Sequence, residues 1–209
     1  MRNTSWTLTI TLAAALGAAL SSAVITAQEK PATPASAKQR KITTAMSAAP
    51  ASVASKATVM DWPAKEGAQP TVLRQGTNGW VCYPDFPDSK GNDPMCLDES
   101  WQKWMDAYMA QKNPQITRIG VSYMIAPGGA WGSNTDPFAT GEKPDNQWGF
   151  DGPHLMIVVP NPDALKGLPT DRSSGAPFVM YAGTPYAHIM VPMTSQANGA
   201  SKPKSSASR

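Results

Sequence analysis

Both histidines of the chain sit in the same short pattern, His154-Leu155-Met156 and His188-Ile189-Met190. Imidazole nitrogen and thioether sulfur are donors that suit Cu(I). In a β-strand, residues i and i+2 point to one face. Each His therefore shares a face with its Met wherever its segment is extended. Both segments read as extended, because 152–193 holds the most strand-like runs of the chain, Leu155-Met-Ile-Val-Val159, Phe178-Val-Met-Tyr181 and Ala187-His-Ile-Met-Val191. His154, Met156, His188 and Met190 are accordingly the candidate metal ligands, and Cu(I) is the one cofactor the residues suggest.

Whether the four side chains meet depends on strand order. Gly183-Thr-Pro-Tyr186 is a turn between two β-type runs, so 178–182 is expected to pair with 187–192 as a hairpin. A simple meander then places 154–159 on the far side of 178–182. The two His-bearing strands would lie two spacings apart, roughly 10 Å. The His-x-Met element resembles that of periplasmic copper chaperones of the cupredoxin-like type. That family combines one His-x-Met with a His and a Met at other fixed spacings, whereas this chain has two His-x-Met pairs with 31 residues between them.

Other chemistry is weaker in the sequence. Asp85, Asp88, Asn92, Asp93, Asp98 and Glu99 crowd one stretch, and carboxylates of this kind hold Ca²⁺. The EF-hand spacing is absent, and turn and cap roles account for most of them. A Ser/His/acid set such as Ser122, His154 and Asp136 can be assembled for hydrolysis. No Gly-x-Ser-x-Gly, Ser-x-x-Lys, His-Glu-x-x-His, Walker or Rossmann motif selects one. Trp131, Phe138, Trp148 and Phe150 are set among Gly, Asn and Asp in a long segment that runs to Pro153, and are expected to form an apolar or sugar-stacking ligand surface or to fold back as a lid.

The elements that must position these groups are legible in part. Trp101, Trp104, Met105, Tyr108 and Met109 recur at helical spacing, with Asp98 and Glu99 at the start and Asn113-Pro114 as the stop. One amphipathic helix is expected there. Residues 57–62, 71–75, 79–83 and 116–125 read as strands, with Asn78-Gly79 as a hairpin turn between the second and third. One helix among strand groups is an α+β domain, an antiparallel sheet with a helix on one face.

Residues 1–27 have the early positive charge, apolar run and small-residue cleavage site of a signal peptide. Residues 28–56 and 194–209, rich in Ala, Ser, Pro and Lys without aromatics, are expected to be disordered. The folded domain is then 57–193. It carries 9 basic and 14 acidic residues, so the formal +3 of the chain comes from the leader and the flanking segments. A body without a basic stripe argues against nucleic acid as partner, and no later run is apolar and long enough to span a membrane. Two cysteines in an exported chain, Cys82 and Cys96, are expected to form one disulfide. The protein is thus expected to be exported, periplasmic or secreted. It reads as a non-enzymatic binding or envelope-associated domain whose partner is a small molecule, a glycan or an envelope protein. A Cu(I)-binding protein is the alternative, and a small hydrolase with a His base a third.

Overall fold

A computed structural model describes residues 33–193 except Glu66 and Asp88. The expected leader, the first residues of the expected linker and the 194–209 tail lie outside the described residues. The fold is α+β, as composition and pattern indicate. A mixed, mostly antiparallel sheet of eight strands runs in the order β2-β1-β3-β4-β5-β8-β10-β9, and β6 and β7 form a separate two-stranded ribbon. The strands are β1 (Thr58–Asp61), β2 (Thr71–Arg74), β3 (Val81–Tyr83), β4 (Met95–Leu97), β5 (Gly120–Met124), β6 (Ala130–Gly132), β7 (Gly149–Asp151), β8 (His154–Val158), β9 (Phe178–Met180) and β10 (His188–Pro192). The helices are α1 (Pro34–Met46), α2 (Ala51–Ala54) and α3 (Glu99–Met109). Among the described residues no helix is long and apolar enough to cross a membrane.

The expectation that 28–56 is disordered is corrected from Thr33 onward. Thr33 caps α1, its hydroxyl accepting from the Ser36 amide at 3.3 Å. Ala45 and Ala48 are fully buried and pack with Val59, Cys82 and Cys96. Composition misled because alanine contributes little area per residue. It lets a helix backbone come close to a sheet, so the contact is made by many small groups rather than a few large ones. Polar links complete the docking: Ile125 N–H donates to Ala48 O at 3.0 Å, Arg74 Nη2 to Ala54 O and Ala57 O at 2.7 and 2.8 Å, and Lys41 pairs with Asp61 at 2.6 Å. Lys38, Arg40, Lys41 and Lys56 thereby join the folded unit, which holds 13 basic and 14 acidic residues over 33–193 and is nearly neutral.

Two strand-pairing expectations also change. The Asn78-Gly79 turn does not close a hairpin, because β1 inserts between β2 and β3 and runs parallel to β3. The turn instead ties the loop to α2, with Asn78 Nδ2 donating to Val53 O at 2.9 Å while its Oδ1 accepts from Trp80 N. At the other end β9 and β10 form the expected hairpin. The 159–177 connection, however, carries the chain past β10, so β10 lies between β8 and β9 rather than β9 between β8 and β10. The two His-bearing strands are direct neighbours.

The disulfide joins Cys82 and Cys96, which face each other across β3 and β4 with Cα atoms 4.0 Å apart. It is fully buried beneath α1. Helix α3 begins where expected. Asp98 Oδ1 accepts from Trp101 N at 2.9 Å and Oδ2 from Val121 N at 2.7 Å, so one carboxylate caps the helix and anchors it to β5. Its apolar stripe lies on the sheet, and Trp101 Nε1 donates to Met156 O at 3.1 Å. The principal core is this helix–sheet layer, built from Trp101 and Trp104 over Leu97, Met156, Met190 and Phe178.

Candidate functional site

The face of the sheet under α3 is set by register. Leu97, Ser122, Met156, Met190 and Phe178 lie opposite one another in one row across β4, β5, β8, β10 and β9. On one side of that row Met124 faces His154, and on the other His188 faces Met180. Period-two alternation puts all of these on the same side. A cavity of about 280 Å³ opens over them, roofed by α3 and flanked by the β6–β7 ribbon. Seven of the chain's eleven methionines line it.

Both histidines lie in this lining and both are buried, His154 at 4% and His188 at 1% exposure. The two are tethered alike. His154 Nδ1 lies 2.6 Å from Gly152 O, and His188 Nδ1 lies 3.0 Å from Tyr186 O. A carbonyl only accepts, so in each neutral ring Nδ1 carries the hydrogen and Nε2 keeps its lone pair. Burial holds both imidazoles below their ordinary pKa, His188 down to about 4. The rings are therefore neutral near pH 7. His188 Nε2 is buried without a hydrogen-bond partner, and so is Trp104 Nε1 in the same lining. The rings of Trp101 and Trp104 stand nearly perpendicular to that of His188, with centroids 5.2 and 5.5 Å away.

The aromatic expectation divides. Trp131 and Phe150 face each other across the β6–β7 ribbon with ring centroids 5.5 Å apart. Both are exposed, Trp131 at 49% and Phe150 at 40%, and Trp131 lines the cavity rim. Phe138 lies elsewhere, stacked on Tyr108 at 5.3 Å and edge-on to Tyr186 at 5.2 Å. Trp148 is half-buried just before β7 and stacks on none of these rings. The four do not form one platform, since a single residue of the set reaches the cavity.

The long 127–153 segment is ordered by buried polar groups. Ser133 Oγ donates to Asn146 O at 2.7 Å and accepts from Asp136 N, while Asn134 Nδ2 donates to Thr170 O at 2.8 Å. Arg172 reaches the ribbon from the 159–177 connection. Its Nη1 donates to Gly132 O at 3.1 Å, and its Nη2 lies 3.3 Å from Asp151 Oδ2. A Cβ at position 149 would press on the Arg172 guanidinium, so glycine there lets Arg172 lie against the ribbon. Asp151 also lines the cavity, and burial lifts its carboxyl to about 6 despite the Arg172 charge. Tyr181, at the rim, has φ +56°, a backbone strain found mostly where neighbouring structure enforces it. Its N–H donates to Asn134 O at 2.8 Å, and burial raises its phenol pKa.

The remaining candidates do not converge. Neither histidine hydrogen-bonds a serine hydroxyl or a carboxylate, and Ser122 Oγ is buried without a partner. Among the described acids of 85–99, Asp85 and Asp93 close their own loop, while Asp98 and Glu99 serve α3. Asp93 Oδ1 accepts from Phe86 N, Asp85 Oδ1 from Asp93 N, and Glu99 pairs with Lys103 and Arg118. Among the described residues no three His, Cys, Asp or Glu side chains group as a metal site. The sequence had pointed to the two His-x-Met pairs. It gave no sign of Met124 and Met180, whose place in the site comes from strand register alone.

Comparison with known proteins finds no matching family model, no matching curated protein and no matching solved structure.

Proposed function

We propose that this is an exported binding protein whose ligand occupies the cavity between α3, the methionine-lined sheet face and the β6–β7 ribbon. One observation carries the reading. An apolar cavity of about 280 Å³ has two buried ring nitrogens in its lining, His188 Nε2 and Trp104 Nε1, that no protein atom satisfies. Buried polar groups are nearly always paired, and a concave apolar site with a few convergent polar atoms is the usual form of a small-ligand pocket. The volume equals that of roughly nine waters at ~30 Å³ each, so the ligand is small. Export is supported by the leader-like residues 1–27 and by the buried Cys82–Cys96 disulfide, which an oxidising compartment favours.

An apolar fluorescent probe, N-phenyl-1-naphthylamine, tests the cavity. It should bind at one saturable site and quench tryptophan emission. Trp131→Ala at the rim should weaken it about tenfold, within the range of an aromatic contact plus its area. Ile119→Ala, at a residue more exposed than Trp131 but outside the cavity, should leave it unchanged. Non-saturating binding, or equal weakening by both substitutions, would show surface adsorption and refute the reading.

A further inference from the structure

The two His-x-Met pairs are brought together in a particular way. Strands β8 and β10 are antiparallel, and their register sets Met156 directly opposite Met190. Because the strands run in opposite directions, His154 lies beyond one end of that methionine pair and His188 beyond the other. The outer strands extend the pattern with the same symmetry. Met124 of β5 is directly across from His154, and Met180 of β9 is directly across from His188. Six residues thus form two equivalent halves about a local two-fold through the Met156–Met190 pair. Each half holds one imidazole, the thioether two residues along its strand and the thioether across from it.

The tethering repeats with the layout. In both halves Nδ1–H is held by the carbonyl two residues upstream, which fixes the ring and leaves Nε2 as the free donor. Imidazole ligands to metals are oriented by this kind of bond from the second nitrogen. A purely structural core has no use for the arrangement. Methionine fills gaps well, but a buried imidazole whose Nε2 finds no partner costs free energy that leucine or phenylalanine at position 188 would not.

We infer that each half binds one Cu(I) ion through one imidazole nitrogen and two thioether sulfurs. Thioethers select soft Cu(I) over Zn²⁺, Mg²⁺ or Ca²⁺. The imidazoles are four residues apart along the strands, roughly 13 Å at 3.3 Å per residue, so one ion does not readily take both. The thioether and imidazole ligands are neutral, so each half takes a single positive charge, the smallest a metal ion can bring into this lining. This assignment rests on the cavity being the ligand site and names the ligand.

The test is a competition titration of the whole protein against a chromogenic Cu(I) chelator. Ascorbate, not a thiol, holds the copper reduced so that the disulfide survives. Leucine nearly conserves methionine volume without the sulfur. The parent should withhold two equivalents. Met124→Leu with Met156→Leu should withhold only the His188-side ion, Met180→Leu with Met190→Leu only the His154-side ion, and the quadruple variant neither, each lost site weakening at least a hundredfold. Protein in which norleucine replaces every methionine should, like the quadruple variant, withhold neither ion, and stands in for it if that variant fails to fold, since norleucine keeps the side-chain length. Copper retention no greater than the quadruple variant's, or stoichiometry untouched by either pair of substitutions, overturns the inference. N-Phenyl-1-naphthylamine separates the two readings. If it still binds while copper does not, the cavity stands and the metal falls; if neither binds, both fall.

Discussion

Single side chains in this protein carry protonation costs that a pH series can read. Asp93 is held up to about 6 by burial first and by its hydrogen bond with Asp85 second. Its folded pKa lies above the ordinary carboxylate value near 3.9, so the folded state binds the proton more tightly than the unfolded one. Stability contributed by this group therefore falls as pH rises from about 4 to about 6. Asp151 acts in the same direction. The histidines act oppositely, since His188 is lowered to about 4 and the unfolded chain takes its proton first. The parent's stability profile is consequently flattened, and a difference measurement is needed. Asp93→Asn should raise the melting temperature at pH 7, and the gain should vanish as pH falls to 4. Asparagine can still accept from Phe86 N, so the loop contact is kept. A gain independent of pH would assign the effect to packing instead of ionisation. Residue chemistry was the most legible level of the sequence. The His-x-Met pairs, the Asp98 cap and the cysteine pair were each read from type and spacing, because each acts through covalent or local geometry.

Elements were legible where a strong period or a stop signal marks them, and illegible where long-range pairing decides. Helix α3 carries an aromatic stripe and a capping carboxylate, and β8 and β10 are apolar runs. Strand β4 has only three residues and follows a proline-rich loop, so nothing local marks it; it exists because β3 and β5 offer edges on either side. Helix α1 was hidden by composition, since Ala, Ser, Thr and Lys read as linker until a surface is present for the alanines to approach. That surface is the disulfide-bearing part of the sheet, and Cys96 Sγ lies 3.7 Å from Ala45 O. Ala45→Leu should therefore cost about 1–3 kcal/mol by overpacking, read as a lower urea midpoint with the slope unchanged. In a disordered linker the same substitution would have no measurable effect, so the midpoint decides between the two descriptions.

At the scale of the molecule, α1 and α2 pack with Cys82 and Cys96 on one face of the sheet and α3 with Leu97, Met156 and Met190 on the other; Cys96 and Leu97, successive in β4, mark the two faces. The disulfide sits in the first layer, away from the cavity lining. Replacing both cysteines by alanine should lower stability by about 3 kcal/mol, the chain-entropy value for a loop of this length. Probe binding at the cavity should persist in the fraction that stays folded. Parallel loss of binding and of near-UV ellipticity across a urea titration would show one cooperative unit, whereas earlier loss of binding would show that the cavity face opens first. Period-two alternation within each strand carries this division, but which strands supply each face is set by strand order, and strand order followed a crossover that no local signal encodes.

That crossover has a consequence in time. Strand β10 fills the slot between β8 and β9, yet it is made after both. A chain that has reached only the end of β9 lacks the strand that pairs with β8 on its second edge, and with it His188 and Met190. Synthesis proceeds from the N-terminus, and the described strands end at Pro192. The complete cavity therefore exists only once β10 has been made: a chain that stops at β9 holds Met124, His154 and Met156 of one half but lacks His188 and Met190 of the other.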